Sequence, residues 1–285
     1  MIKDLHLIGY ASGLAGTDVR CGEGPQIIAQ AEYLQGNKWH MISSEADYPA
    51  TAHSIYDLAT SLAQTVVALM QSQQRFCVIG GDHTAAIGTW SGVHEVIHQQ
   101  GELGLIWIDA HMDSHTPETT ESGRLHGMPL AVLLGHGSSL LTELMQTTAK
   151  VRPENLCLVG VRSFEKSEAG LLQSLGVKIY YMDEVKQRGL SAVMQEALQH
   201  VTRHTIGFGV SLDLDGIDPV EAPGVDVPEP DGLHTLDLLE SLAEITQHAK
   251  FLTAEIVEFD PSKDRNKLTE NLILKLIRAI YDDQN

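Results

Sequence analysis

Short apolar segments alternate along this sequence with longer segments whose apolar residues recur at helical spacing. Two of the short segments, Phe76–Ile79 and Leu105–Ile108, are almost continuously apolar, which is typical of strands covered on both faces. The alternation indicates βαβ units. It therefore predicts an α/β protein with three layers, α/β/α, around a mostly parallel central sheet.

The same pattern locates the individual elements. The predicted strands are Leu5–Tyr10, Phe76–Ile79, Leu103–Ile108, Asn155–Gly160, Val177–Met182, Thr205–Leu212 and Phe251–Val257, with an eighth near Trp39–Ser43. The predicted helices are Pro25–Leu34, Ala52–Gln73, Thr84–Gln99, Met128–Leu134, Ser138–Thr147, Glu168–Leu175, Ser191–Thr202, Thr235–Gln247 and Lys267–Ala279. No internal repeat or linker divides the sequence, so we expect a single domain over residues 1–285.

Composition excludes several classes of protein. A formal charge of −19 argues against a nucleic-acid partner, because proteins that bind nucleic acids carry a basic patch. No apolar run approaches the ~20 residues needed to cross a bilayer, so we expect no membrane association. The N-terminus shows no secretory signal pattern. Cys21, Cys77 and Cys157 are odd in number and far apart, which fits reduced thiols and a cytoplasmic location.

Four polar clusters follow four of the predicted strands. With the strand residues that lead into them, they are Ile79–His83, Ile108–Asp113, Ser211–Pro219 and Ile256–Pro261. Alternate side chains of an extended segment point the same way, so Asp109, His111 and Asp113 converge. Asp213 and Asp215 converge for the same reason. Carboxylates clustered at a partly buried strand end repel one another, and a divalent cation removes that cost.

The charge of these side chains indicates how many cations the site holds. Asp109, Asp113, Asp213 and Asp215 carry four negative charges, which two divalent ions cancel, and His83 and His111 add neutral imidazole ligands. Six ligands serve two ions only if some carboxylates bridge and water completes the shells. Two-metal hydrolases have this arrangement, with a metal-bridging hydroxide as the nucleophile. Ligands rich in oxygen and without thiolate favour Mn, then Mg, Fe(II) or Co.

Each cluster by itself also has an ordinary structural interpretation. A single Gly-Gly-Asp-His segment is more often a turn than a ligand, and Asp-x-Asp followed by Gly and Asp-Pro is common in turns. An isolated Asp-x-His-x-Asp segment occurs in surface loops as well as in metal sites. Three such clusters at the ends of strands of one predicted sheet favour a metal site.

In combination the motifs resemble the ureohydrolase family, the manganese enzymes that include arginase, agmatinase and formiminoglutamase. The resemblance runs from about Gly9 to about Ile280 and implies an arginase-like fold with two Mn²⁺ per chain. It implies one ion held by His83, Asp109, Asp113 and Asp213. It implies a second ion held by His111, Asp109, Asp213 and Asp215, with Asp109 and Asp213 bridging the two ions.

The segment from His115 to Pro129 looks specifically like arginase, whose corresponding loop grips the amino-acid end of the substrate. This resemblance implies that Thr120 and Ser122 bind the α-carboxylate. It also implies that His126 is a proton shuttle that assists departure of the product.

The same resemblance implies roles for four further residues. Glu258 would pair with the guanidinium group, and Asp113 would orient the attacking hydroxide while remaining a metal ligand. Glu165 and Glu168 would hold the α-ammonium group, directly or through water.

The sequence also departs from the arginase pattern. His115 and Arg124 stand where arginases usually have asparagine, Glu165 replaces an aspartate, and Val227 replaces a threonine. None of these positions is a predicted metal ligand, so the chemistry should be retained. All of them belong to the amino-acid end, so the preference for L-arginine is open, and Arg124 could bind a carboxylate or extend into solvent.

The resemblance implies a hydrolase that converts L-arginine, a small guanidino substrate, to L-ornithine and urea. A hydroxide bridging two Mn²⁺ ions would attack the guanidinium carbon, with Co²⁺ or Fe²⁺ as alternative ions. We expect activity to rise into the alkaline range, because the ligands must be deprotonated. The resemblance leaves open a homo-oligomer, either a trimer or a hexamer.

Three other functions compete with this prediction. A ureohydrolase acting on agmatine or another guanidino compound would leave Thr120 and Ser122 without a carboxylate to bind. A catalytically silent homologue would bind metals without releasing urea. A two-metal phosphoesterase would need a phosphate-binding glycine loop or a Lys/Arg clamp, and the sequence shows neither at these strand ends.

Overall fold

The computed structural model describes residue 2, residues 4–43 and residues 51–282, and its strands form one sheet. The strands are β1 Leu5–Ala11, β2 Lys38–Ser43, β3 Arg75–Gly80, β4 Glu102–Ile108, β5 Leu156–Val161, β6 Lys178–Tyr181, β7 Thr205–Asp213 and β8 Phe251–Val257. Their order across the sheet is β2-β1-β3-β8-β7-β4-β5-β6, and every neighbouring pair is parallel. All eight predicted strands are confirmed.

The register of the four central strands aligns their ends. Ile79 of β3 pairs with Ile256 of β8, which pairs with Leu212 of β7. Leu212 in turn pairs with Ile108 of β4. One row of buried apolar side chains therefore crosses β3, β8, β7 and β4, and the polar residues that follow emerge from the same edge of the sheet.

Helices cover both faces of the sheet. Those of the described residues are α1 Gly24–Ala29, α2 Ala52–Gln71, α3 Ala85–Ile97, α4 Pro129–Leu133, α5 Ser139–Thr142, α6 Lys166–Leu175, α7 Met182–Arg188, α8 Leu190–Thr202, α9 Thr235–Ile245 and α10 Leu268–Tyr281. Side chains of β4 alternate between the two faces of the sheet, and each face has its own hydrophobic core. Leu105 and Trp107 belong to the core formed with α2, α3, α4 and α6. Ile106 and Ile108 belong to the core formed with α1 and α7 to α10. The three-layer α/β/α prediction is confirmed.

Three details of the helices differ from the prediction. The predicted helix Pro25–Leu34 is interrupted after Ala29, and a short 3-10 turn follows over Glu32–Leu34. The segment Met182–Arg188 is a helix that the prediction missed, although its acidic first turn and basic last turn suit the helix dipole. The predicted helix Ser138–Thr147 shortens to Ser139–Thr142.

The buried side chain of Lys150 explains why that last helix is short. Its Nζ donates to the carbonyl oxygens of Thr142, Gln146 and Thr148 at 2.7, 2.6 and 2.8 Å. Those carbonyls thus have a partner other than the backbone N–H groups that a continuing helix would supply.

Two expectations concern the whole chain. Cys21, Cys77 and Cys157 are free and buried, as predicted. Among the described residues, no helix has the length and apolar character needed to span a membrane.

Close packing of α2 on α3 depends on glycine. A Cβ atom added to Gly92 would lie 2.7 Å from the carbonyl oxygen of Ala63, and one added to Gly88 would lie 2.8 Å from that of Ala59. These distances are too short for a real Cβ atom, so the two helices approach as closely as their backbones allow.

We expect Gly92→Ala to lower the free energy of unfolding by about 1–3 kcal/mol, because α2 and α3 must separate to admit the methyl group. Gly170→Ala in α6 is the matched control, since a Cβ atom there meets nothing within 4 Å. The control should gain about 0.5–1 kcal/mol from helix propensity. Urea unfolding measures both, and equal effects of the two substitutions would contradict the close-packing explanation.

Candidate metal centre and active site

The four predicted polar clusters meet at one edge of the sheet. They follow β3, β8, β7 and β4, which are adjacent in the sheet although they are far apart in the sequence. Because all four strands are parallel, their carboxyl ends lie on the same side. Ligands of open α/β sheets bind at this edge.

One group of ligand atoms surrounds His83. Its Nδ1 lies 3.0 Å from Oδ2 of Asp113, 3.0 Å from Oδ2 of Asp213 and 3.4 Å from Oδ2 of Asp109. All four residues are buried. Nδ1 makes no hydrogen bond of acceptable geometry despite these distances. A nitrogen and three carboxylate oxygens facing a common point are suited to a divalent cation.

A second group surrounds His111. Its Nδ1 lies 3.0 Å from Oδ2 of Asp215 and 3.5 Å from Oδ1 of Asp109. Asp109 therefore presents one oxygen to each imidazole, which is the geometry of a bridging carboxylate. Asp213 lies in the first group, and its Oδ1 accepts the N–H of Asp215 at 2.9 Å. The six predicted ligands are thus brought together, in two groups that share Asp109.

Burial and mutual repulsion make this arrangement costly without cations. Burial, with repulsion from Asp215 and Asp109, raises the pKa of Asp213 well above its usual value. Burial raises the pKa of Asp215 to about 6. Burial alone would lower the pKa of His83, but the neighbouring carboxylates reverse the effect and raise it. In the absence of metal, protons must supply the positive charge that these carboxylates need.

Neighbouring side chains hold the ligands in place. Nε1 of Trp107 donates to Oδ2 of Asp109 at 2.8 Å. Nε2 of His83 lies 3.0 Å from Oγ of Ser211, which donates to Oε1 of Glu255 at 2.7 Å. The sequence analysis did not single out these three supporting residues. Glu255 could have been recognised from the sequence, because an acidic residue in the middle of an apolar strand indicates a special role.

Backbone strain is concentrated at two residues of the site. Asp113 has a φ of 46° and Glu258 has a φ of 67°, both in the left-handed region that non-glycine residues seldom adopt. The N–H of Glu258 donates to the carbonyl oxygen of Gly81 at 2.7 Å, which ties β8 to the end of β3. Such conformations persist where the surrounding structure imposes them, and they are frequent at active sites.

A cavity of about 460 Å³ lies next to both ligand groups. Its walls include all the predicted catalytic and substrate-binding residues: Asp113, His115, Thr120, Ser122, Arg124, His126, Glu165, Glu168 and Glu258. Val227 lines it as well, together with Thr17, which the sequence analysis did not identify. Four of the six predicted metal ligands line it too, namely His111, Asp113, Asp213 and Asp215.

His126 and Glu258 form a pair inside this cavity. Nδ1 of His126 lies 3.2 Å from Oε1 of Glu258, and the same oxygen accepts the backbone N–H of His83 at 2.8 Å. Burial alone would lower the pKa of His126, but the carboxylate of Glu258 outweighs it and raises the pKa to about 9. His126 is therefore protonated at neutral pH and can donate a proton.

The rim of the cavity carries the remaining predicted residues. Nε2 of His115 lies 3.0 Å from Oε2 of Glu165, and Oε1 of Glu168 accepts the N–H of Glu165 at 2.9 Å. Burial raises the pKa of Glu168 to about 8. Arg124 is the one Arg or Lys among the described residues that line the cavity.

The chain is similar to proteins of known activity over nearly its whole length. A family-wide sequence profile described as the Arginase family matches residues 3–281. The arginase of Bacillus caldovelox is 38% identical over 300 aligned residues, which cover 99% of each chain. A crystal structure of arginase from Bacillus subtilis has a TM-score of 0.91 at 32% identity, covering 99% of both chains. The Entamoeba histolytica arginase in complex with L-ornithine has a TM-score of 0.89 at 25% identity, again over 99% of both chains.

We expect the protein without divalent ions to lose stability as the pH rises. The folded chain keeps Asp215 protonated up to about pH 6, whereas its usual pKa is 3.8, so the unfolding free energy falls across that interval. The raised pKa of His83 acts in the same direction. The protonated imidazole contributes its full stability below pH 6.5, and this contribution is lost as the imidazole of the folded protein deprotonates.

Urea unfolding of chelator-treated protein from about pH 4 to about pH 8.5 measures this dependence. Added Mn²⁺ should stabilise the protein, and its effect should grow with pH because protons compete for the same ligands. Asp213→Asn, which removes one carboxylate, should weaken the response to Mn²⁺. A stability without pH dependence in the stripped protein, or no response to Mn²⁺, would contradict this account of the site.

Proposed function

Because this chain belongs to the arginase family and is a hydrolase acting on a guanidino C–N bond, we propose that it converts L-arginine to L-ornithine and urea with two bound Mn²⁺ ions. One observation carries the proposal. A single cavity joins two groups of metal-ligating side chains to a rim with groups suited to an amino acid's carboxylate and ammonium.

His83, Asp109, Asp113 and Asp213 would bind the first ion, as the first ligand group suggests. His111, Asp109 and Asp215 of the second ligand group would bind the second ion, together with Asp213, whose assignment to this ion rests on the family resemblance. The predominance of carboxylate oxygen favours Mn²⁺, with Co²⁺ or Fe²⁺ as alternatives. When bound, such a pair supplies a nucleophile derived from water and stabilises the charge that develops during hydrolysis.

Glu258 would orient the guanidinium group. Its side chain is buried, and Oε1 is fixed by the N–H of His83 and by His126. A carboxylate held beside the metal ligands can pair with the planar, cationic guanidinium and bring its carbon towards the ions. Asp113 would orient the nucleophile from the first ligand group.

His126 would supply the proton that the departing amine needs. Its contact with Glu258 raises its pKa to about 9, so the imidazolium persists through the neutral range. After it donates, the imidazole can take up a proton from solvent, because about 16% of the side chain is exposed. This is the role of a proton shuttle.

The rim would bind the amino-acid end of the substrate. Thr120, Ser122 and Arg124 would contact the α-carboxylate. Glu165 and Glu168 would hold the α-ammonium group, with His115 fixing Glu165 through their contact at 3.0 Å. The alternative is hydrolysis of agmatine, which keeps this amine and lacks the α-carboxylate, or of another guanidino compound.

Three further proposals concern the organisation and location of the protein. We propose that residues 1–285 form one domain. We also propose a homo-oligomer, a trimer or a hexamer, and a cytoplasmic location.

A urea-release assay on Mn²⁺-loaded protein with a panel of guanidino compounds tests the proposed reaction. We expect L-arginine to be turned over at least about tenfold more efficiently than agmatine, because agmatine lacks the carboxylate for which Thr120, Ser122 and Arg124 are arranged. Equal or better turnover of agmatine would contradict the proposed arginase activity and support agmatine hydrolysis. Absence of urea from every compound would favour a silent metal-binding protein.

His126→Asn should lower kcat by about 10²- to 10⁴-fold, because the general acid is lost, and should change KM much less. The pH profile gives a second readout. The raised pKa means that wild-type protein keeps its proton donor through neutrality and loses it at the alkaline end. The wild-type profile should therefore rise and then fall, and the fall should be missing in the variant. An unchanged kcat would exclude His126 as the proton donor.

A further inference from the structure

We propose that Glu229 is a positioning residue for His111, and that its carboxylate controls the affinity of one of the two metal ions. The inference rests on the proposed function only for the binding of two divalent ions. It does not depend on which guanidino compound is the substrate. Glu229 was not predicted from the sequence.

The two nitrogens of His111 face different partners. Nδ1 faces the carboxylates of Asp109 and Asp215, so a metal shared with them would bind at this nitrogen. Nε2 then carries the ring's proton and requires an acceptor. Within the described ranges, Glu229 is the carboxylate near this nitrogen, with Oε1 3.7 Å from Nε2. A rotation that shortens this distance by a few tenths of an ångström completes a hydrogen bond.

A carboxylate behind a metal-bound imidazole has two effects. It fixes the ring's orientation and its tautomer, and it makes the other nitrogen a better ligand. Glu229 is suited to both effects because its position is already fixed. Its Oε1 accepts a hydrogen bond from Oγ of Ser163 at 3.1 Å, and its carbonyl oxygen accepts one from Nη2 of Arg162 at 2.7 Å.

Arg162 ties Glu229 to the metal ligands themselves. Besides the carbonyl of Glu229, Nη2 donates to the carbonyl oxygen of Asp215 at 2.8 Å, and Nη1 donates to that of Gly216 at 3.1 Å. Nε donates to the carbonyl oxygen of Pro230 at 2.8 Å. One half-buried guanidinium therefore sets the distance between the loop that carries Asp215 and the loop that carries Glu229. Because its donors are directed to carbonyl oxygens, the carboxylate of Glu229 stays available to His111.

The two imidazoles of the site are supported differently. Nε2 of His83 meets the neutral hydroxyl of Ser211, and the carboxylate of Glu255 lies one step further away. Nε2 of His111 instead faces a carboxylate, with Oε1 of Glu229 3.7 Å away. Loss of Glu229 should therefore weaken the ion bound by His111 and leave the ion bound by His83 largely unaffected.

Glu229 is poorly placed for a role in substrate binding. It does not line the cavity that contains His126 and Glu258. It lines a separate depression beside Lys186 and Asp231. A change in metal affinity is thus the direct consequence expected of its removal.

The test is a metal titration of full-length protein stripped by chelator. Isothermal titration with Mn²⁺ gives both affinities, and electron paramagnetic resonance distinguishes a coupled Mn pair from a single Mn ion. For Glu229→Ala we expect the affinity for the ion bound by His111 to fall by about 10- to 100-fold. The affinity for the ion bound by His83 should be unchanged. Glu229→Gln keeps an acceptor oxygen without the charge, so its Mn²⁺ affinity should fall less than that of Glu229→Ala. Asp231→Asn is the matched control, because it removes an exposed charge from the same loop and should leave both affinities unchanged.

A double substitution separates positioning from a general effect on the loop. His111→Ala already removes the imidazole, so adding Glu229→Ala should cause no further loss of metal affinity. Adding Glu229→Ala to His83→Ala should weaken the remaining ion as much as it does in the wild type. Circular dichroism checks folding, and if Glu229→Ala fails to fold, Glu229→Gln carries the same comparison.

Three results would overturn the proposal: equal weakening of both ions, unchanged affinities in Glu229→Ala, or an additive loss in the variant that lacks His111. Wild-type protein that binds fewer than two Mn²⁺ ions would overturn both this inference and the metal part of the proposed function. Selective loss of one ion from a protein that releases no urea from arginine would support the role of Glu229 and reject the proposed reaction.

Discussion

Repulsion among carboxylates held at one edge of a rigid sheet is the constraint on which this site depends. The row from Ile79 to Ile108 brings four strand ends to one level, and the acidic residues that follow cannot separate without disrupting the sheet. Asp109 faces His83 with one oxygen and His111 with the other. Positive charge must therefore enter the site as protons or as metal ions, so that ion binding and stability are thermodynamically linked.

The surrounding structure responds to that constraint in several ways. Trp107 and Ser211 contact ligands through hydrogen bonds, and a left-handed conformation aims Glu258 into the cavity. Arg162 spans two loops at the same edge through carbonyl oxygens rather than through an ion pair. These interactions keep the ligand atoms close to the positions that a cation requires before any cation binds, which lowers the cost of organising the site.

Most of the fold could be predicted because buried parallel strands are apolar along their whole length, whatever surrounds them. The errors have local causes. The turn after Thr142 depends on the buried amine of Lys150, and its hydrogen bonds to carbonyls do not appear in a hydrophobic pattern. The helix from Met182 begins where the apolar run of the preceding strand ends, so the run concealed the boundary.

The sequence by itself determined the ligand types and their positions directly after apolar strands, because the apolar run of a buried parallel strand ends where its polar residues begin. The extended geometry expected for Asp109, His111 and Asp113 is not found, since β4 ends at Ile108 and Asp113 is left-handed, so the folded loop groups these ligands. Only the tertiary structure decided that β3, β8, β7 and β4 are neighbours, since that order arises from helices packing on both faces of the sheet. It alone placed Glu229 behind His111, which lies 118 positions earlier in the chain. Contacts between distant loops depend on the strand order and on Arg162, and no local pattern in the sequence carries that information.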